Sequence, residues 1–259
     1  MLHTNHIHMR PTASRFVASE MPEAIRPRVE ILPFTVRIAQ DEADIDKAVK
    51  IRHAAYARHV PALASKLTQP EQFDFEDGMF VLIAESKLDG SPLGSMRIQT
   101  NQYRPLLLEE SVELPLQYVG KSLAEATRLG IIQDRAGRLA KIMMFKAMFM
   151  WCVEHEVDWM VIAARSPLDR QYEALMFDDV FPGVGFQPMR HAGNIPHRVF
   201  SHEIESGQKR WAEAEHPLYD LFFNTEHPDI DIGKRDLPAF PHQLGFNKKP
   251  QSTDVLRLS

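Results

Sequence analysis

Apolar and polar residues alternate along this chain in two periods, one of about two residues and one of about 3.6. Phe34-Thr-Val-Arg-Ile-Ala39 follows the first and predicts a short strand. Asp41 then stands as an N-cap with acidic residues behind it, and Ile45, Val49, Arg52 and Tyr56 recur at helical spacing. They predict an amphipathic helix over about 42–59. The signal from 61 to 77 is mixed, with a short helix over Ala62–Leu67 and then the acidic run Phe-Asp-Phe-Glu-Asp-Gly ending at Gly78. Met79–Glu85 and Leu93–Thr100 read as two strands of a hairpin joined by the polar turn around Asp89-Gly90. In the second of these Gly94, Met96 and Ile98 share one face, so Arg97 points to the other.

Strand pattern gives way to helix between Ser122 and His155. Leu123–Ile132 reads as a strand, a basic turn containing Gly137 follows, and a helix from about Arg138 to His155 is apolar over most of its circumference. Such a helix has to be packed on a sheet. The Met143, Met144, Met148 and Met150 group belongs to that core. Val157–Ala164 suits an interior strand, Ser166-Pro167 offers the start of a helix through Leu175 and Met176, and Phe186–Met189 and Arg198–Ile204 are further strands. The interleaved order predicts an α/β fold with helices on both faces of its sheet.

The polar, Pro-punctuated residues 1–30, with His3, His6 and His8, read as an N-terminal arm, and residues 31–204 as one domain. Residues 205–259 read as an extension packing back through Trp211, Leu218, Tyr219, Phe222 and Phe223, with a Pro-containing tail. The 259 residues are 44% hydrophobic and 25% charged, enough for a full core. A net charge of −5 argues against a nucleic-acid binder. The single cysteine, Cys152, excludes an intramolecular disulfide and a thiolate metal site and reads as a buried small hydrophobe. With no run of apolar residues long enough for a transmembrane segment, and no apolar stretch of a signal peptide, the expectation is a soluble, cytoplasmic protein.

Several spaced residues carry a family resemblance: Arg52 with Tyr56 on the first helix, Asp74 and Asp77 as D-x-x-D, Arg97 in Gly-Ser-Met-Arg, and Glu125 with Arg128 as E-x-x-R. With the element order, they make residues 34–204 resemble the GNAT superfamily of N-acyltransferases, and within it the branch of acyl-homoserine lactone synthases and long-chain N-acyl amino acid synthases. The resemblance implies a GNAT-like acyltransferase fold, a mixed, largely antiparallel sheet split around an acyl thioester. His216–Ile232 resembles the C-terminal extension of N-acyl amino acid synthases, which favours that reading. Lactone synthases favour a tryptophan shortly after the first-helix aromatic, whereas Ala57–Leu63 contains none.

The turn into the central helix departs from the superfamily's Q/R-x-x-G-x-G/A, since Asp134-Arg-Ala-Gly137-Arg-Leu139 differs at its first and last positions. That departure fits an acyl-phosphopantetheine donor held by acyl carrier protein rather than free acyl-CoA, with no tightly bound cofactor and no metal. Arg135, Gly137, Arg138 and Lys141 are the candidate contacts to the donor phosphate or an acidic carrier protein.

Amide formation needs a neutral amine, and an α-ammonium with pKa near ~8 is mostly protonated at neutral pH. Glu125, on the strand bordering the cleft, is the candidate base, acting directly or through a water, with Arg128 beside it. In an ideal strand the two would face opposite ways; a bulge would bring them to one side and expose N–H groups to a developing oxyanion. Arg52, Asp74, Asp77, Arg97 and Thr127 are the candidate substrate-binding residues, through a charge network near the cleft entrance or an arginine contact to the substrate carboxylate. The reading is transfer of a long-chain acyl group to the amino group of an amino acid. The alternatives are a coenzyme A-dependent N-acetyltransferase, a lactone-type synthase, and a non-catalytic module binding acyl ligands or carrier protein.

Overall fold

A computed structural model describes residues 28–233. The expected N-terminal arm with His3, His6 and His8, and the tail from 234, lie outside the described residues. In chain order the elements are β1 (Arg28–Val29), β2 (Phe34–Ile38), α1 (Glu42–Ala57), α2 (Pro61–Ala64), β3 (Met79–Ser86) and β4 (Pro92–Thr100). There follow β5 (Leu123–Ile131), α3 (Arg135–Glu154), β6 (Trp159–Ala164), α4 (Asp169–Ala174), β7 (Asp178–Asp179) and β8 (Gln187–Met189). The last are β9 (Ile195–Glu203), α5 (Ile204–Glu213), β10 (Thr225–Glu226) and β11 (Ile230–Asp231).

The main sheet runs β11-β2-β3-β4-β5-β6-β9-β7, with β8 also paired to β9. Its pairings are antiparallel except β5 with β6 and β11 with β2. The period-two pattern sets what each face carries. Val36, Leu82, Met96, Ile98, Ala124, Ala126 and Ile162 pack with α3 on one face. On the other, Val81 meets Ile45, Ala48 and Val49 of α1, while Leu123, Val161 and Val199 meet Leu106 and Leu108. Helices therefore cover both faces, as the pattern predicts.

Three expectations shift. Helix α3 begins at Arg135, three residues early, because Asp134 caps it: its carboxylate accepts from Gly137 N–H at 2.7 Å. Ser166-Pro167 is a cis peptide and does not open a helix; α4 begins at Asp169 with no side-chain cap. The extension supplies strands as well as a cover, with β11 pairing along β2 at the sheet edge and β10 along β1. It also explains why α3 is apolar nearly all round. Sheet covers one side of it, and Leu221 and Phe222 of the extension, with Ile204 just before it, pack on the same core. Met143, Met144 and Met148 are fully buried there, as is Cys152, whose thiol pKa burial pushes up.

Candidate active site

The sheet opens at one place. β5 pairs with β6 from Leu123 to Ala126 and no further, while it stays paired with β4 as far as Ile131. Along β4 the register passes from Arg97↔Thr127 to Ser95↔Gly130, so Arg128 and Leu129 stand opposite Met96 alone. This is a β-bulge, and Arg128 takes the left-handed conformation at φ 54°. Such a conformation costs a β-bearing residue about 1–2 kcal/mol and persists where its surroundings hold it. The bulge advances the side-chain alternation by one and turns Glu125 and Arg128 to the same side. Beyond Ala126, the edge of β5 away from β4 has no strand beside it.

Helix α1 sits directly on this bulge. A Cβ on Gly130 would lie 3.0 Å from Arg52 Cα and 3.1 Å from Ile51 O, so glycine lets the helix backbone come this close without a shift. That approach delivers Arg52 to β5. Arg52 Nη1 donates to Asp74 Oδ1 at 2.6 Å, and Arg97 Nη1 donates to Glu71 Oε2 at 3.1 Å and to Asp74 Oδ1 at 3.4 Å. Arg97 Nε reaches Thr127 Oγ1 at 3.3 Å. Arg128 grips Glu71 with two bonds of 2.7 Å each and donates to His191 O at 3.1 Å. Arg52, Arg97 and Asp74 are essentially inaccessible, at 1%, 0% and 0% exposure. The expected network at a cleft entrance is thus a buried cluster of three guanidiniums and two carboxylates.

Charge balance in the cluster is incomplete. Nε and Nη2 of Arg52 and Nη2 of Arg97 are buried with no hydrogen-bond partner. Burial opposes ionisation of Glu71, but the Arg128 bonds and the charges of Arg97 and Arg128 outweigh it and hold that carboxyl at about 2. Burial and the Arg128 charge lower Arg97 to about 10, leaving it cationic at neutral pH.

Glu125 lies on the same face of the sheet as Arg97 and is completely buried. Its Oε2 accepts from Leu108 N–H at 3.2 Å, while Oε1 has no partner. Burial pushes the carboxyl up to about 8. His191 Nε2 is 3.9 Å from Oε1, yet this is no ion pair at neutral pH. Burial, helped by the Arg128 charge, pushes the imidazole down to about 4, so a protonated acid faces a neutral ring.

The turn into α3 is built differently from an anion cradle. The Gly137 N–H that would meet a phosphate is already taken by the Asp134 carboxylate. Gly137 itself is required by packing, since a Cβ there would fall 2.2 Å from Ile132 O. Arg135 and Arg138 are exposed, whereas Lys141 is half-buried and donates to Gln171 Oε1 at 2.6 Å. Burial lowers the Lys141 pKa. Arg58 joins this end of the sheet by donating to Ile131 O at 3.0 Å. Arg135, Arg138 and Lys141 stand apart from the buried cluster, because α3 covers the opposite face of the sheet.

Of the residues predicted to form the site, Arg52, Asp74, Arg97, Glu125, Thr127 and Arg128 are brought together around the bulge. Asp77 is exposed on the following turn, and the second carboxylate between the arginines is Glu71. Glu71 N–H donates to Asp74 Oδ2 three residues on, a capping box that ties the two carboxylates together and that the sequence reading missed. His191 falls in a short 3₁₀ turn, Arg190–Ala192, with no periodic signal. Close by, a cavity of about 650 Å³ is lined by Glu109, Glu110, Glu113, Tyr118 and Leu123 among others, and the 3₁₀ helix Leu107–Glu110 stands between it and Glu125. Among the described residues no group of acidic, histidine or cysteine side chains is arranged to hold a metal, and no helix is long and apolar enough to cross a membrane.

No protein-family model matches the sequence, and no curated protein matches it. Solved structures do match. The N-acyl amino acid synthase FeeM from uncultured soil microbes is similar at a TM-score of 0.55 and 14% identity, over 73% of this chain and 97% of FeeM. The CoA-dependent acyl-homoserine lactone synthase BjaI, with MTA, is similar at 0.50 and 12%, over 75% of this chain and 93% of BjaI. The chain has the GNAT-like acyltransferase fold. Both branches named by the sequence resemblance are represented among its structural neighbours.

Proposed function

We propose that this protein is an N-acyltransferase that joins an acyl group, delivered as a thioester, to the amino group of an amino acid. The observation that carries the reading is the bulged strand at the open sheet. It places Glu125 and Arg128 on one side, beside a buried arginine cluster, where β5 and β6 part. The unpaired edge of β5 supplies backbone N–H groups for the thioester carbonyl and for the oxyanion that follows attack. Glu125 serves as the base: with its carboxyl held near 8, a fraction of about one-tenth is ionised at pH 7, matched to an amine of similar pKa. Arg128 holds the bulge through Glu71, and Arg52, Arg97, Asp74 and Thr127 form the floor of the substrate site, with Asp77 at its rim.

A long-chain acyl group carried by acyl carrier protein is the finer reading. It is supported by the Asp134 carboxylate standing where a coenzyme A pyrophosphate would need a donor, and by the exposed Arg135 and Arg138 beside it. Those arginines, with Lys141 at the helix flank, would meet the phosphopantetheine phosphate and an acidic carrier surface. In this reading residues 31–204 are the catalytic unit in the cytoplasm, and residues 205–233, with β1 paired to β10, cover the acyl side.

The test is to incubate purified protein with matched acyl carrier protein and coenzyme A thioesters of graded chain length plus mixed amino acids, and to search for N-acyl products by mass spectrometry. Amide formed from carrier-protein donors is the expected result. No amide from any donor would sink the activity, and turnover of short coenzyme A thioesters alone would overturn the finer reading.

A further inference from the structure

Gln99 and Glu125 are cross-strand partners on the face of the sheet that carries Arg97, and both are completely buried. Above them runs the stretch from Pro105 into the 3₁₀ helix Leu107–Glu110. The first N–H groups of a helix have no partner within it. Here three in a row are taken by side chains: Leu106 N–H donates to Glu109 Oε2 at 2.7 Å, Leu107 N–H to Gln99 Oε1 at 3.3 Å and Leu108 N–H to Glu125 Oε2 at 3.2 Å. Gln99 Nε2 also donates to Pro105 O at 2.8 Å. That carbonyl can only accept and the Leu107 N–H can only donate, so the orientation of the Gln99 amide is fixed from both ends. A buried glutamine bonded in this way is a clamp. It sets where residues 105–107 lie, and the next N–H along the chain is the one that meets Glu125.

The two oxygens of Glu125 are thereby made unequal. Oε2 receives a donor, while Oε1 has no partner and faces the His191 ring, whose Nε2 is 3.9 Å away. An oxygen that already accepts an N–H bond is the poorer seat for the proton of the neutral acid, so that proton sits on Oε1. The groups around the carboxyl are few. The Leu107 and Leu108 N–H groups and the charge of Arg97 on β4 favour its ionised form, and Glu109 of the 3₁₀ helix opposes it. The His191 ring is held neutral, Arg128 further along β5 is engaged by Glu71, and the neighbour on β6 is the uncharged Val161.

We propose that Gln99 is a positioning residue for Glu125: by fixing residues 105–107 it holds the Leu108 N–H on Oε2, which favours the carboxylate and leaves Oε1 as the oxygen that exchanges the proton. The clamp belongs to the resting protein; its consequence for turnover rests on the proposed acyl transfer. In that reaction Oε1 of the carboxylate takes one proton from the substrate ammonium, directly or through a water, an N–H bond breaking as an O–H bond forms. A neutral amine is left to attack the thioester carbonyl. The nitrogen sheds a second proton as it becomes an amide, the departing thiolate takes one of the two, and the other goes to solvent.

The full protein is followed across pH by ¹³C NMR of the Glu125 carboxyl and ¹H–¹⁵N NMR of the Leu108 amide. Ionisation of the acceptor strengthens a hydrogen bond, so the Leu108 amide proton is expected to move with the Glu125 titration and to lose that response in Glu125→Gln. Gln99→Met keeps the length of the side chain without either bonding group. It should move the Glu125 titration up by about one pH unit and speed hydrogen exchange at Leu107 and Leu108. Turnover by this variant should fall about tenfold at pH 7 and recover as pH rises past the shifted titration, a recovery that damage to the fold would not show. A Leu108 amide indifferent to the Glu125 titration in the unmodified protein overturns the proposal without any variant, as does an unmoved titration in folded Gln99→Met. A moved titration, with no turnover of any donor by the unmodified protein, would leave Gln99 assigned and remove the acyl-transfer reading. Turnover with an unmoved titration would do the reverse.

Discussion

At the scale of single residues, burial and charge pairing push two glutamates in opposite directions. Glu71 is held at about 2, below its ordinary 4.5, so its contribution to stability is present above pH 4.5 and lost as pH falls through about 2. Glu71→Ala would leave Arg97 and Arg128 buried and short of their main partner, and should cost about 3–5 kcal/mol in urea unfolding. Glu125 is raised to about 8, so its contribution is full below 4.5 and disappears as pH rises through 8. The melting temperature should therefore fall as pH rises from about 4.5 to 8 and level off above that, and Glu125→Gln should remove that part of the fall. The same variant should reduce turnover by about 10²-fold or more while donor binding is spared, and it should lose the rise in rate towards pH 8. Turnover equal to that of the unmodified protein at every pH would exclude Glu125 as base. The residue types were visible in sequence as E-x-x-R. Their shared side was not, because it depends on a bulge that no local pattern announces.

At the scale of elements, the decisive piece is the junction of β5 and α3. Asp134 is the N-cap of α3, and its carboxylate takes the Gly137 N–H. Asp134→Ala should destabilise the protein by about 1 kcal/mol through the lost cap. It should also free the Gly137 N–H and so strengthen binding of coenzyme A, measurable by calorimetry against the unmodified protein. Unchanged coenzyme A affinity would mean that the carboxylate does not govern donor choice. The sequence showed the departure from the glycine-rich pattern at this turn. That Gly137 is needed for contact with Ile132 O could be seen only once the strand end and helix start were in place.

At the scale of the molecule, the extension is fastened by one buried cation. Lys146, on the otherwise apolar α3, donates to Leu221 O at 2.8 Å, to Thr225 O at 2.5 Å and to His227 Nδ1 at 2.9 Å. These acceptors lie on the π-helix Asp220–Asn224 and the segment leading to β11. Burial lowers the lysine to about 8, which leaves it largely charged at neutral pH. Lys146→Met keeps the length of the side chain but leaves the two carbonyls without their donor, at a cost of about 1–3 kcal/mol. Hydrogen exchange should accelerate across 216–231 and remain slow in β3, β4 and β5. Uniform acceleration would show that the extension is not a separately fastened unit.

The sequence by itself determined most of the elements within residues 34–204, the two faces of the sheet and the α/β class, because these follow from hydrophobic period and from caps and turns that act over a few residues. It also singled out most of the arginines and acids of the site through their spacing. The tertiary structure alone decided that the arginine network is buried, that Glu71 takes the place beside the arginines expected of Asp77, and that His191 stands opposite Glu125. Glu71 and Arg128 are 57 residues apart, and Arg128 and His191 are 63 apart. Contacts over such separations are set by how helix and strands pack, and packing leaves no period in the chain.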